Sequence, residues 1–299
     1  MREPFHPGEI EIQRRAGVRE MADRVGRIIG SAVTPAAQLF LARQRLVVAT
    51  TLDGDGGVWA SLLTGAPGLV TAVDETLLRI QAEPADGDPL LANLKSRPEF
   101  GLLVIDVTTR QRMRFNGRGL VSPEGLFLLV DRAYGNCPKY IQMRRLEDGE
   151  ASPGTTRRLA TLNARQSEWI AGADTFFIAS FHPQGGPDAS HRGGRPGFVN
   201  VLGADHLVFP DYPGNAMFNT LGNLSAYPQA GLLFVDFATG GVLQLTGRAT
   251  VSRDLSVEFH VDRVLETPRA TRLRFEFIEF SPAIPVTPEP LRHPTDVSR

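Results

Sequence analysis

The sequence predicts a mainly β chain with a few helices, built from two tandem copies of one antiparallel domain. Three observations carry that reading. Short β-branched or aromatic runs end in Gly, Pro or Asp turns, helix signals are sparse, and the chain repeats itself in register. With 299 residues, 42% of them hydrophobic and 22% charged, the chain can bury one large core or two smaller ones, since domains commonly run about 100–200 residues.

The repeat is legible residue by residue. Gly56-Gly57-Val58-Trp59-Ala60-Ser61 and Gly65-Ala66-Pro67-Gly68-Leu69-Val70 return as Gly185-Gly186-Pro187-Asp188-Ala189-Ser190 and Gly194-Arg195-Pro196-Gly197-Phe198-Val199, at a spacing of 129 residues. After one extra residue the spacing becomes 130, matching Asn93-Leu94 to Asn223-Leu224, Pro98 to Pro228, Gly101-Leu102-Leu103 to Gly231-Leu232-Leu233, Asp106 to Asp236 and Gly117-Arg118 to Gly247-Arg248. Register kept over about seventy positions with one gap is a duplication, and so long a unit is a whole domain rather than a solenoid module.

Within each copy the strands come in the same order. Leu46–Thr51, Gly101–Val107 and Gln111–Gly117 are matched by Phe176–Phe181, Gly231–Phe237 and Val242–Gly247. Strands at this spacing, separated by turn signals, argue for a sandwich or a barrel. Helices are expected where Thr34 caps Pro35–Leu41, where Asp88-Pro89 opens Leu90–Leu94, at Asn219–Leu224 and over Pro138–Arg145. The boundaries predicted are a helical or extended segment over 1–40, a first copy over 41–146 ending in a helical segment, a linker over 147–156, a second copy over 157–282 and a Pro-rich tail over 283–299.

Composition narrows the function. Lys plus Arg (32) nearly balances Asp plus Glu (33), a net charge of −1, so no nucleic-acid or anionic-membrane partner is expected. Cys137 is the single cysteine, which rules out an intrachain disulfide and a cysteine metal cluster and fits a reducing compartment. Met1-Arg2-Glu3-Pro4 lacks a signal-peptide core, and runs such as Gly101–Ile105 and Leu126–Val130 fall far short of the roughly 20 apolar residues of a membrane span. A cytoplasmic location is expected.

Three segments carry candidate chemistry. Asp188-Ala189-Ser190-His191-Arg192-Gly193-Gly194-Arg195-Pro196-Gly197-Phe198 offers backbone N–H groups, a hydroxyl and guanidinium groups to one anion, although a Gly-rich hairpin with solvated arginines would read alike. At matching positions the first copy has Ser61-Leu62-Leu63-Thr64-Gly65-Ala66-Pro67, so His191, Arg192 and Arg195 are confined to the second copy. Phe209–Asn223 reads as a strand, a Pro-Gly-Asn turn and a helix whose N-terminus suits phosphate, or simply as a strand–turn–helix connection. In Ala133–Gln142 the thiol of Cys137 lies near Lys139 without a recognisable Cys/His/Asp order, and Tyr134, Asn136, Lys139 and Tyr140 are candidates to line a site. His6, His182, His206, His260 and His293 show no metal-ligand spacing, and no metal site is expected. Neither Ser61 nor Ser190 lies in a nucleophile elbow.

Ser190-His191-Arg192-Gly193-Gly194, Pro196-Gly197-Phe198-Val199, Phe209-Pro210-Asp211-Tyr212, Gly214-Asn215, Asn219-Thr220-Leu221, Asn223 and Gly231-Leu232-Leu233-Phe234 with Asp236-Phe237 together resemble the pyridoxamine 5′-phosphate oxidase-like, FMN-binding split-barrel proteins. The resemblance is strong over about 170–255 and weaker over 40–122. Asn136–Gln142 is similar to a segment of two-copy members. The resemblance implies six-stranded antiparallel split barrels that pair and bind flavin in the cleft between them, here as an intrachain pseudo-dimer. It implies one flavin site, with phosphate on Ser190, His191, Arg192, Gly193 and Asn215, joined by Gly194 and Asn219. Trp59, Ser61 and the Asn136–Tyr140 segment with Lys139 would form the facing wall. The other cleft, facing Thr64-Gly65-Ala66, would be degenerate, and empty or structural.

Two departures limit the inference. Ala216-Met217 stands where the oxidases carry an Arg-Lys pair for the phosphate, and Arg292-His293 lacks the context of their Arg-x-His substrate motif. Vitamin B6 oxidation is therefore not assigned. The expected function is FMN binding, with FAD as the alternative, in an oxidoreductase acting on a small molecule, with no catalytic side chain named. The rival is a non-catalytic carrier of flavin, deazaflavin or haem serving a separate reductase, and a structural protein with a decayed site is a weaker one. The chain is expected as a monomeric pseudo-dimer or a homodimer.

Overall fold

The computed structural model describes residues 3–149 and 154–285. The first half contains α1 (Pro7–Arg15), α2 (Arg19–Gly26), α3 (Pro35–Leu41), β1 (Leu46–Leu52), β2 (Val58–Thr64), β3 (Val70–Ala72), β4 (Leu77–Ile80), α4 (Leu90–Ser96), β5 (Glu99–Asp106), β6 (Gln111–Ser122), β7 (Gly125–Gly135) and β8 (Met143–Asp148). The second contains β9 (Arg157–Leu159), α5 (Ala164–Gly172), β10 (Thr175–His182), β11 (Gly186–Gly193), β12 (Asn200–Val201), β13 (His206–Phe209), α6 (Asn219–Ala226), β14 (Gln229–Asp236), β15 (Gly241–Val251), β16 (Val257–Thr267) and β17 (Leu273–Glu279).

The duplication reappears as topology. One antiparallel sheet runs β2-β1-β5-β6-β7-β4-β3 and the other β11-β10-β14-β15-β16-β13-β12, the same path through corresponding strands. Ala49 faces Ser61 in the first, and Ile178 faces Ser190 in the second. Both long hairpins shift register at matching places, Asn116/Gly117 and Thr246/Gly247. The glycines are required there, because a Cβ on Gly117 or Gly247 would stand 1.9 Å from the carbonyl oxygen of Leu129 or His260. Two split-barrel-like sheets with few helices make the chain mainly β.

Central strands are apolar on both faces because both faces are buried. Val47 and Ala49 of β1 join Phe100, Leu102 and Val104 of β5 in the core of the first copy. Phe176 and Ile178 join Leu232 and Phe234 in the core of the second. The alternate residues Leu46, Val48, Leu103, Ile105, Phe177, Ala179, Leu233 and Val235 form a third core between the copies. Polar bonds cross the same seam, from Thr50 Oγ1 to the Asp188 carbonyl (3.0 Å) and from Gln244 Nε2 to the Ala60 carbonyl (2.9 Å).

The expected helices at Pro35, Leu90 and Asn219 form, the first with the Thr34 hydroxyl accepting from the Ala37 N–H. The helix expected over Pro138–Arg145 does not. Tyr140 takes a positive φ of 68°, and from Met143 the chain pairs as β8 with β17. β8 follows the first sheet and β17 the second, so this two-stranded ribbon ties the copies together. Glu147 and Asp148, expected in the linker, end β8. The rest of that linker over 150–153, and the Pro-rich tail from 286 with Arg292 and His293, lie outside the described residues. The chain after β17 docks where Ser281 N–H donates to Gln142 Oε1 (2.9 Å) and the Ser281 hydroxyl accepts from Tyr140 N–H (3.1 Å). Among the described residues no helix is long and apolar enough to cross a membrane.

Candidate functional site

β11 runs along the seam, so its end carries Ser190, His191, Arg192 and Gly193 against β6 of the first copy. Between them, closed by the 210–218 loop and the start of α6, lies a cleft. Arg112, Arg114, Asn136 and Tyr140 line it from the first copy. Ser190, His191, Arg192, Asn215 and Asn219 are among its lining residues from the second.

A buried polar chain organises the floor. The Arg114 guanidinium donates to Ser190 Oγ (2.6 Å) and to Asn219 Oδ1 (2.8 Å), and lies 3.2 Å from Asp188 Oδ1. Asn219 in turn donates to Glu9 Oε1 of α1. Ser190 also shares a 2.8 Å hydrogen bond with the Thr220 hydroxyl at the head of α6. Burial pushes the Glu9 carboxyl up to about 7, so it is only partly ionised at neutral pH. Loop strain accompanies this geometry. Ala216 and Phe218 take positive φ values of 64° and 58°, a conformation that costs an L-residue roughly 1–2 kcal/mol and that collects at functional sites.

Cations outnumber anions here. Arg112, Arg114 and Arg192 face the cleft, against Asp188 and against Asp211, which lies 2.8 Å from Arg192. Burial, then the neighbouring charges of Arg114 and Arg192, lowers Arg112 to about 9. Burial and the charges of Arg112 and Arg192 hold His191 well below its ordinary value, so its imidazole is neutral.

Of eleven buried side-chain polar atoms without a hydrogen-bond partner among the described residues, six sit in this cleft's lining: Arg114 Nε, both amide atoms of Asn136, both His191 ring nitrogens and Arg192 Nε. Buried polar groups are normally paired, and leaving one unpaired costs about 1–3 kcal/mol. Four of these six atoms are donors, and orphaned donors beside guanidinium charge fit a phosphate-bearing ligand. The Tyr140 and Tyr212 rings, 5.4 Å apart and tilted by 37°, add aromatic surface at the same cleft.

Of the residues singled out in sequence, Ser190, His191, Arg192, Gly193, Asn215 and Asn219 line this one cleft. Gly194 lies just beyond it, its carbonyl accepting from Gln142 Nε2 (3.2 Å), and Lys139 is exposed outside the lining. Trp59 and Ser61 are not on the facing wall. Trp59 bonds Asp53 and lies under Arg263, and Ser61 bonds Asp88. The facing wall is instead Arg112 and Arg114, which the sequence reading passed over. The signal existed: Arg112 and Arg114 alternate on one face of a strand, and their partners in the repeat are Val242 and Gln244. Glu9, reaching the site from α1, had no such signal.

Residues 162–276 match the profile of the family described as pyridoxamine 5′-phosphate oxidase. No curated protein matches the chain. Similar solved structures include HupZ of Group A Streptococcus (15% identity, 34% of this chain and 93% of that one, TM-score 0.29). The FAD binding protein from Mycobacterium smegmatis is 13% identical over 38% of this chain and 98% of its own, with a TM-score of 0.26. HutZ, the heme storage protein from Vibrio cholerae, is 14% identical over 41% and 98%, with a TM-score of 0.24. The profile match, together with the motifs and strand order of the second copy, supports a pyridoxamine 5′-phosphate oxidase-like family for residues 162–276.

Proposed function

We propose that the cleft between β6 and β11 binds a flavin, FMN in preference to FAD, and that the protein is a flavin-dependent oxidoreductase acting on a small molecule. The observation that carries this reading is the set of orphaned buried donors beside Arg112, Arg114 and Arg192. A bound flavin supplies hydride or electron transfer, and the protein supplies binding, orientation and electrostatics.

Arg114 is fixed by Ser190, Asn219 and Asp188 before any ligand arrives, so its charge is preorganised. Arg112 holds the Cys137 carbonyl through Nε (2.9 Å), which leaves its outer nitrogens toward the cleft chemistry. Arg192 is shared with Asp211 as Arg114 is with Asp188, but Arg192 lacks the Ser190 and Asn219 bonds that fix Arg114. The monophosphate of FMN suits one compact cationic patch, which favours it over a dinucleotide. Neutral His191 can accept or donate a hydrogen bond without adding charge.

The test is the visible absorption spectrum of the purified chain before and after titration with FMN and with FAD. Bound-flavin bands at micromolar protein, stronger with FMN, are expected, followed by bleaching with NADH or NADPH. Flavin that binds but stays oxidised with every donor would favour the carrier reading. No uptake of either flavin would overturn the cofactor assignment.

A further inference from the structure

We propose that β13 and β16 of the second copy carry a binding site for one divalent transition-metal ion of the zinc type, with His206, Glu258 and His260 as its protein ligands. His206 and His260 stand directly opposite each other in the antiparallel pair, and Glu258 lies two residues before His260, on the same face of the sheet. One ligand atom from each lies within 4.8 Å of the other two. Bonds of about 2.0–2.1 Å in a tetrahedral zinc site place ligand atoms roughly 3.3 Å apart, a gap that small side-chain rotations close.

Three further observations point to an ion. His206 Nε2 is buried, has no hydrogen-bond partner and lies 3.9 Å from Glu258 Oε2. The His206 and His260 rings stack at 4.3 Å, bringing two imidazoles together beside one carboxylate. The third is the repeat. In the first copy the corresponding positions of the β4–β7 pair are Leu77, Phe127 and Leu129. All three apolar residues are replaced by ligating types in the second copy, and none of the three lines the Arg-walled cleft.

Two imidazole nitrogens and one carboxylate oxygen favour Zn²⁺, Co²⁺ or Ni²⁺ over Mg²⁺ and Ca²⁺. Three protein ligands leave a coordination position for water. Arg248, opposite His260 on β15, opposes the ion by charge and keeps the site weaker than a structural zinc centre. The ion would tie the outer strands β12 and β13 to β16. Linear spacing hides such a site, because only strand pairing brings position 206 to positions 258 and 260.

The experiment is calorimetric titration of the chelator-stripped full chain with zinc chloride, with cobalt(II) absorption as a second readout. One Zn²⁺ per chain is expected, with no displacement by Mg²⁺. His206→Ala and His260→Ala should each weaken binding by about tenfold or more, Glu258→Gln should weaken it less, and Arg248→Gln should tighten it. His260 is exposed, so His260→Ala keeps the fold, which circular dichroism checks. Absence of zinc uptake, or uptake unchanged in the His206→Ala/His260→Ala double variant, would overturn the proposal.

Discussion

Ser61 and Ser190 hold the same register in β2 and β11, yet their hydroxyls meet different surroundings. Around Ser61, the hydroxyl, the Leu90 N–H at the start of α4 and Gln244 Nε2 from the other copy all converge on the Asp88 carboxylate, at 2.7, 2.8 and 2.9 Å. Around Ser190, the repeat places Arg114 where Gln244 stands, Thr220 for Leu90 and Phe218 for Asp88. One geometry thus builds two anion sites. In one the chain supplies its own anion. In the other a buried carboxylate, Asp188, is met by Ser190 and by the Arg114 guanidinium, with Arg112 and Arg192 as further cations nearby. Asp88 has no guanidinium to offset its burial, which lifts its carboxyl to about 6. The difference teaches that one strand register can hold a buried carboxylate on neutral donors or on a guanidinium without loss of the fold.

The strongest way to break this contrast is Arg114→Gln, which writes Gln244 into the open cleft. It leaves Asp188 buried without its cation, at a cost of about 3–5 kcal/mol in stability, measured by urea unfolding. Flavin affinity should fall on the order of 100-fold. Unchanged flavin uptake would place the ligand elsewhere. Next in size, Asp88→Ala removes the internal anion and strands the Ser61, Leu90 and Gln244 donors, for a loss of about 2–3 kcal/mol. Sulfate should then raise the melting temperature of the variant more than that of the native chain. Asp88→Asn isolates the charge. With the folded carboxyl raised to about 6 from 3.8, the folded state holds the proton more tightly, so this group's contribution falls as pH rises from about 4 to 6. The Asn variant should lack that slope in unfolding free energy.

Much of this comparison was readable beforehand, because a repeat makes each copy a control for the other. The matched glycines marked shared turns and bulges, such as Gly117 and Gly247, and His191 and Arg192 stood out against Leu62 and Leu63. The same comparison applied to β6 and β15 would have exposed Arg112 and Arg114. What local pattern could not supply was long-range pairing. Pro138–Arg145 has helix-forming residues, but β17 lies ready to pair and a positive φ at Tyr140 turns the chain into β8. α1 opens on a histidine cap, an uncommon choice. The Asn163–Gln166 capping box of α5 was a readable signal that went unused.

A smaller effect tests how unequal the cations of the open cleft are. Arg192 is paired with Asp211 at 2.8 Å, so its loss removes a partly neutralised charge. Arg192→Ala should weaken FMN binding about tenfold, or about 1.4 kcal/mol, well below the effect at Arg114. Equal losses at the two positions would show that Asp211 releases Arg192 on binding, a rearrangement visible as a steeper salt dependence.

The smallest effect at neutral pH concerns α1, which leans on the open cleft alone. Gly8 and Gly222 let α1 and α6 approach so closely that a Cβ on Gly222 would stand 2.6 Å from the Glu9 Cα, and the repeat places Ala92 at the matching position of α4. Burial raises Glu9 to about 7 from 4.5 and, with repulsion from His182, lowers His6 to about 4 from 6.5. Between about pH 4.5 and 6.5 the folded pair carries its proton on Glu9, while the unfolded pair carries one on His6. Proton counts are then equal, so this pair contributes no pH slope there. Glu9→Gln removes one side of that balance. The depressed His6 then contributes stability above 6.5 that is lost as pH falls toward 4, so unfolding free energy should decline across a window where the native contribution is flat. The variant should also lie above the native chain at pH 8, where ionised Glu9 is no longer present to be buried. A native profile that already slopes through this window, unchanged by Glu9→Gln, would show that Glu9 and His6 do not titrate as a buried pair and that α1 seals the cleft by packing alone.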